Sequence, residues 1–153
     1  MRSTASRESS AQMKTISLIV YGTPVPQGSM RAFMRPGMKA PIVTADNKKT
    51  KPWKQEIAGC AAEAMQKAGL AVAVGVPIAV LCEFYFDRPK SLRKSIQRKV
   101  TRPDLDKCAR AVLDALTGIV FKDDAQVTLL RVSKEFSDRP RAEIQIALAK
   151  DTA

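Results

Sequence analysis

Residues 102–127, RPDLDKCARAVLDALTGIVFKDDAQV, decide the reading of this chain. Leu105, Ala109, Val112, Leu113 and Leu116 recur at i, i+4, i+7, i+8 and i+11, one apolar helical face, and Gly118 is a natural C-cap. Acids stand at both ends: Asp104 and Asp106 in front, Asp123 and Asp124 behind, with Asp114 on the exposed flank. Inside a helix, two residues apart means roughly 200° of rotation, which sends Asp104 and Asp106 to opposite faces. They act together only where the chain arrives extended, with side chains two apart on one face. The residue before Pro103 is biased to extended geometry and Asp is a favoured N-cap, so that arrival is predicted. A helix–strand return is then expected to bring Asp124 back near Asp104 and Asp106. Each acid also has an ordinary use. Asp104 and Asp106 can cap the helix and meet its dipole, Asp114 can pair with Arg110, and Asp123-Asp124 can form a turn.

Upstream, residues 88–102 carry seven basic side chains and no acid except Asp87 just before them: Arg88, Lys90, Arg93, Lys94, Arg98, Lys99 and Arg102. A charge run of this kind is a solvated loop or frayed helix, or an arm for DNA phosphates. Its lead into the acidic cluster favours the arm, and its lack of aromatics argues against base stacking. Further out, strands are predicted at 15–21, 72–86 (interrupted at Pro77), 126–135 and 141–149. A short hairpin is predicted within 31–43 and a helix over 52–68, with Gly69 at its stop. The fold class is α+β, a mixed sheet with two main helices packed on it. One domain over 13–150 is expected, behind a disordered tail at 1–12.

The composition is that of a globular protein, 45% hydrophobic and 27% charged. Lys and Arg outnumber Asp and Glu by 26 to 15, a net charge of +11 that attracts polyanions. The longest apolar run, residues 70–82, is 13 long and broken by Gly75 and Pro77; a membrane span needs roughly 20. No apolar stretch near the N-terminus suits a signal peptide. Cys60, Cys82 and Cys108 are odd in number and sit in apolar segments, as buried reduced thiols of a cytosolic protein do. Histidine is absent, which excludes His-ligated zinc and Ser-His or Cys-His catalysis. A basic protein that gathers acids in one place points to a divalent cation on a nucleic-acid surface. Mg2+, with its preference for hard oxygen ligands, suits them.

Over these residues the sequence resembles the RusA family of crossover-junction endodeoxyribonucleases, common in phages and prophages. The Asp104-Leu105-Asp106, Asp114-Ala115-Leu116 and Asp123-Asp124-Ala125-Gln126 elements carry the resemblance, which extends to Lys134. More loosely, residues 22–31, GTPVPQGSMR, look like the N-terminal stretch of phage-type members. The resemblance implies a cytoplasmic, Mg2+-dependent homodimer (Mn2+ as a substitute) that resolves four-way junction DNA by paired symmetric nicks, without a small-molecule cofactor or membrane partner. It implies that Asp104, Asp106 and Asp124 are the essential carboxylates, with Asp123 as the fallback for the third. The family's functional lysine falls on Arg110. Two positions depart from the pattern: Lys107 stands where members carry Asn, and Arg110 where they carry Lys. Arg keeps the charge but does not readily titrate, so Lys107 is the other candidate for that role. The rival expectation is a non-catalytic or degenerate junction-binding protein.

Overall fold

The computed structural model describes residues 15–149, apart from Ser29, Asp46 and Asn47; the tail expected at 1–12 lies outside them. The elements run β1 (Ile16–Tyr21), β2 (Met30–Phe33), β3 (Ile42–Ala45), α1 (Thr50–Ala68), β4 (Ile78–Asp87), α2 (Leu105–Leu116), β5 (Val127–Ser137) and β6 (Arg141–Leu148). A single 3-10 turn, Asp124–Gln126, precedes β5. The main sheet has the order β1-β6-β4-β5, and β2 and β3 form a separate antiparallel pair. The α+β class with a mixed sheet and two helices is therefore the observed one.

Alternation builds the core. Ile16, Leu18 and Val20 of β1, Ile78, Val80, Cys82, Phe84 and Phe86 of β4, and Ala142, Ile144 and Ile146 of β6 all point to one face. Trp53, Ile57, Ala61 and Met65 of α1 cover that face, with Cys108, Ala111, Val112, Ala115 and Leu116 of α2. The buried stripe of α2 is broader than the predicted one: Ala109, Val112 and Leu116 are buried as expected, and Cys108, Ala111 and Ala115 join them. Cys108, Ala111 and Ala115 are small and let the helix approach α1 closely, while Leu105 and Leu113 are only partly buried. Thr117 rather than Gly118 caps α2, its N–H donating to the Leu113 carbonyl, and Gly118 turns the chain at φ +85°.

The strand predicted from Val72 begins only at Ile78. Ala73 instead clips to the loop after α2, its N–H bonding the Val120 carbonyl at 2.9 Å while its carbonyl accepts from Lys122 N–H at 2.9 Å. Gly75, at φ +67°, bends the segment. Cys60 is half-buried, not buried as expected; Cys82 and Cys108 are buried, and all three are free. Among the described residues no helix is long and apolar enough to cross a membrane.

The feature that positions the site is the parallel pairing of β4 with β5. Parallel neighbours require a crossover, and the arm plus α2 supply it. The front of α2 therefore lies by the end of β4, and its rear by the beginning of β5.

Candidate active site

Asp104 is the N-cap of α2, extended at φ −67° and ψ 136°, the geometry predicted before the helix. Its backbone carbonyl accepts the Cys108 N–H at 3.2 Å, but its side chain makes no capping bond. The carboxylate is left to other ligands. Asp106 follows in the first turn. Lys107 reaches back, its Nζ 3.7 Å from Asp104 Oδ2. Below them the Cys108 thiol is pushed up to about 11, chiefly by burial, with Lys134 opposing and Asp104 and Asp106 adding to the rise.

Lys134 was not among the predicted site residues. Its ammonium donates to the carbonyls of Thr101 at 2.7 Å and Pro103 at 2.8 Å, pinning the chain just ahead of Asp104. The signal was present in the sequence. Val132, Lys134 and Phe136 alternate along β5, and Lys134 pairs with buried Phe84, so a cation occupies an inward register.

A groove of about 730 Å³ opens beside Asp104. Residues 23–28 form one wall, Phe86 and Asp87 close the end, and Lys49, Lys99, Arg102 and Lys107 supply positive charge. The wall is tied to both helices: Gln27 N–H donates to the Lys107 carbonyl at 2.9 Å, and Thr50 Oγ1 to the Pro26 carbonyl at 2.9 Å. The arm is folded onto the sheet. Arg88 donates to the carbonyls of Arg93 and Ile96 and lies over Phe136, and Arg98 pairs with Glu135 at 3.8 Å. Lys99 lies 5.5 Å from the Phe86 ring centre and 5.4 Å from that of Phe136. Burial, and then Lys134, lower its pKa. Of the seven arm cations, Lys99 and Arg102 line the groove, while Lys90, Arg93 and Lys94 point to solvent.

At the rear of α2 the two adjacent acids divide their work. Asp123 is consumed by a capping box: its carboxylate accepts from Ala125 N–H at 2.9 Å, and its own N–H donates to Gln126 Oε1 at 3.0 Å. Gln126 Nε2 donates to the carbonyls of Ala73 and Val76 at 3.2 and 3.1 Å, anchoring the turn. Asp124 instead faces a groove of about 510 Å³ between α2 and β5, with Asp106, Arg110, Leu113 and Leu130. Asp114 is outside both grooves and pairs with Lys54 of α1 at 3.8 Å, not with Arg110.

Of the three acids expected to converge, Asp106 and Asp124 line one groove and Asp104 lines the other. Among the described residues no three metal-ligating side chains gather to hold an ion. α2 has 12 residues, about 18 Å at 1.5 Å each, with Asp104 and Asp106 at its front and Asp124 in the turn that follows its rear. The donor set still suits a hard divalent cation: all are carboxylates, and the side chain of Asp104 is unused by its cap. Such a cation is commonly held by one or two carboxylates together with substrate phosphate.

Residues 22–147 match the family described as Endodeoxyribonuclease RusA. The chain is also similar to the uncharacterized protein YqaN of Bacillus subtilis (strain 168), 34% identical over 144 residues, covering 88% of this chain and 96% of that protein. A match over most of the chain, with the acidic motifs inside it, is decisive. The chain belongs to the RusA family of Holliday junction-resolving nucleases and is an endodeoxyribonuclease, a hydrolase of DNA phosphodiester bonds.

Proposed function

We propose that the chain works as a Mg2+-dependent homodimer that resolves four-way DNA junctions by paired symmetric nicks. Asp104, Asp106 and Asp124 hold the cation, which Mn2+ can replace. The observation that carries this reading is the division of labour in the acidic motifs. Asp123 is spent on a cap, whereas Asp106 and Asp124 open onto one groove with Arg110 between them in the chain. When bound, the cation neutralises charge on the scissile phosphate and lowers the pKa of a water. Asp104 and Asp106 orient it from the front of α2, Lys134 holds their lead-in segment, and Arg110 places a fixed positive charge toward the phosphate. The cationic groove beside Asp104 receives the DNA backbone. Paired nicks on strands related by a two-fold axis require two sites, hence two chains.

The test is cleavage of a four-way junction in Mg2+ by wild type and by Asp106→Asn. The variant is expected to lose more than about 100-fold, the upper scale seen when metal-site support is removed, while still binding the junction. Equal cleavage by both removes Asp106 from the mechanism. Gel filtration with junction bound is expected to give a dimer, and a strict monomer contradicts paired nicking.

One observation favours a weaker activity, that of a degenerate binder. Where family members carry Asn, Lys107 forms an ion pair with one of the proposed ligands, Asp104. Lys107→Asn with Arg110→Lys restores the family pattern. A large gain in cleavage supports degeneracy, and little change supports an active wild type.

A further inference from the structure

We propose that the β2–β3 hairpin is a wedge for the branch point: its methionine tip enters among the unstacked bases of a four-way junction, and its cations hold the flanking phosphates. This rests on the reading that the chain acts on such junctions, and says how it tells them from duplex. The hairpin carries a sequence repeat that the acidic site leaves unused. Met30-Arg31, Met34-Arg35 and Met38-Lys39 set an apolar residue beside a cation every four residues, and residues 22–45 contain no acid.

The fold sets this repeat apart from the body. β2 and β3 pair with each other and with no strand of the main sheet. Between them Met38 N–H donates to the Arg35 carbonyl at 3.1 Å, with Gly37 at φ +90°. Pro36 followed by Gly37 is the pair that a type II turn demands, so the tip is stiff. Met34 is 58% exposed, and neither it nor Met38 joins the hydrophobic core. Arg35 and Lys39 flank the turn and are exposed. The base of the hairpin adjoins the acidic site. The chain enters it from Gly28 and leaves it through Lys49, and both line the groove beside Asp104. Strands of four residues, at about 3.3 Å each, put roughly 13 Å of chain between that rim and the tip. A DNA strand lying in the groove therefore has the hairpin beside it.

The chemistry of the tip selects its occupant. Opening a stacked base step is costly, and least so where stacking is already interrupted, as at a branch. Methionine is unbranched and polarizable and packs against any base, which suits recognition of shape in any sequence. Cations next to each methionine favour a polyanion over an apolar protein surface.

The experiment uses a four-way junction carrying 2-aminopurine, which brightens on unstacking, either at the branch or inside an arm. Protein is added without divalent metal, so that nothing is cut. Wild type is expected to raise the branch signal and not the arm signal. Met34→Ser with Met38→Ser is expected to remove more than half of that rise. It should weaken junction binding by about fivefold, the low end for a side chain stacked on a base, with duplex binding and thermal melting unchanged. Met34→Leu with Met38→Leu keeps the apolar contact and is expected to keep the rise. Lys39→Ala is expected to weaken junction and duplex binding alike, with the full rise at saturation. A wild type that binds the junction without raising the branch signal overturns the wedge. So does a serine variant that raises it fully, and the hairpin then faces a partner other than the branch. Cleavage in Mg2+ is scored separately. Unstacking without cleavage supports the wedge and removes the resolving activity, whereas cleavage without unstacking removes the wedge alone.

Discussion

The two ends of α2 differ in how they hold their acids. At the front, Asp104 and Asp106 are crowded by cations: Lys107 touches Asp104, Lys134 pins the preceding backbone, and Lys99 and Arg102 line the adjoining groove. At the rear, neutral groups do the positioning. Asp123 and Gln126 lock the turn through capping and backbone bonds, and Asp124, which makes no ion pair among the described residues, shares its groove with Arg110. The difference separates two tasks. The front must receive a polyanion as well as hold acids, so its field is mixed. The rear must only deliver one carboxylate at a fixed place.

The largest effect that tests this contrast is expected at Lys134. Replacing it with Met leaves the Thr101 and Pro103 carbonyls without their donor. The bond to Thr101 is exposed and that to Pro103 only part-buried, so their loss costs about 1 kcal/mol, a Tm decrease of roughly 2–4 °C for a chain of this size. Cleavage is expected to fall by about 10- to 100-fold, the scale for groups that orient metal ligands. A loss of Mn2+ affinity at temperatures where the variant is fully folded separates positioning from mere stability. Lys134→Arg, which keeps a donor, is expected to recover part of it. If cleavage and Mn2+ binding are unchanged in folded Lys134→Met, the front needs no such support.

Much of this was legible in the sequence, and the rest was not, for definite reasons. The extended arrival of Asp104 could be read because Pro103 and a capping Asp constrain the backbone locally. So could the alternation of β4, whose inward residues are the apolar ones. What failed needed tertiary information. The parallel pairing of β4 with β5, which sets Asp124 in the turn ahead of β5 and on one groove with Asp106, is a register that no local pattern reveals. The buried stripe of α2 includes the expected Ala109, Val112 and Leu116 but extends to the small residues Cys108, Ala111 and Ala115 on the side of α1, which a hydrophobicity count undervalues. The partner of Asp114 was misread because Lys54 belongs to α1, remote in sequence but adjacent in space.

A smaller effect is expected at Lys107, where the chain departs from its family. The ion pair with Asp104 is long, 3.7 Å, and its partners are 38% and 53% exposed, so solvent screens it. Such pairs are worth about 1 kcal/mol or less, and a doubly charged cation competes with Lys107 for the same carboxylate. Lys107→Asn is therefore expected to tighten Mn2+ binding by no more than about fivefold, the equivalent of that energy. Junction binding should weaken at the same time, because Lys107 also lines the basic groove. The slope of log affinity against log salt is expected to become shallower by about 1 if one phosphate contact is lost. Tighter metal binding with an unchanged slope assigns Lys107 to the metal alone, and the converse assigns it to DNA.

The smallest effect belongs to Asp114, which sits in the last turn of α2 but is turned toward Lys54 of α1. Its pair with Lys54 is 3.8 Å long and partly exposed, and it lines neither groove. Asp114→Asn is expected to change stability by less than about 0.5 kcal/mol, read by thermal melting, and to leave the cleavage rate unaltered. That result locates function at the ends of α2 rather than in its total negative charge. A clear loss of cleavage in this variant, with the melt unchanged, moves part of the chemistry onto the flank of the helix and breaks the contrast between front and rear.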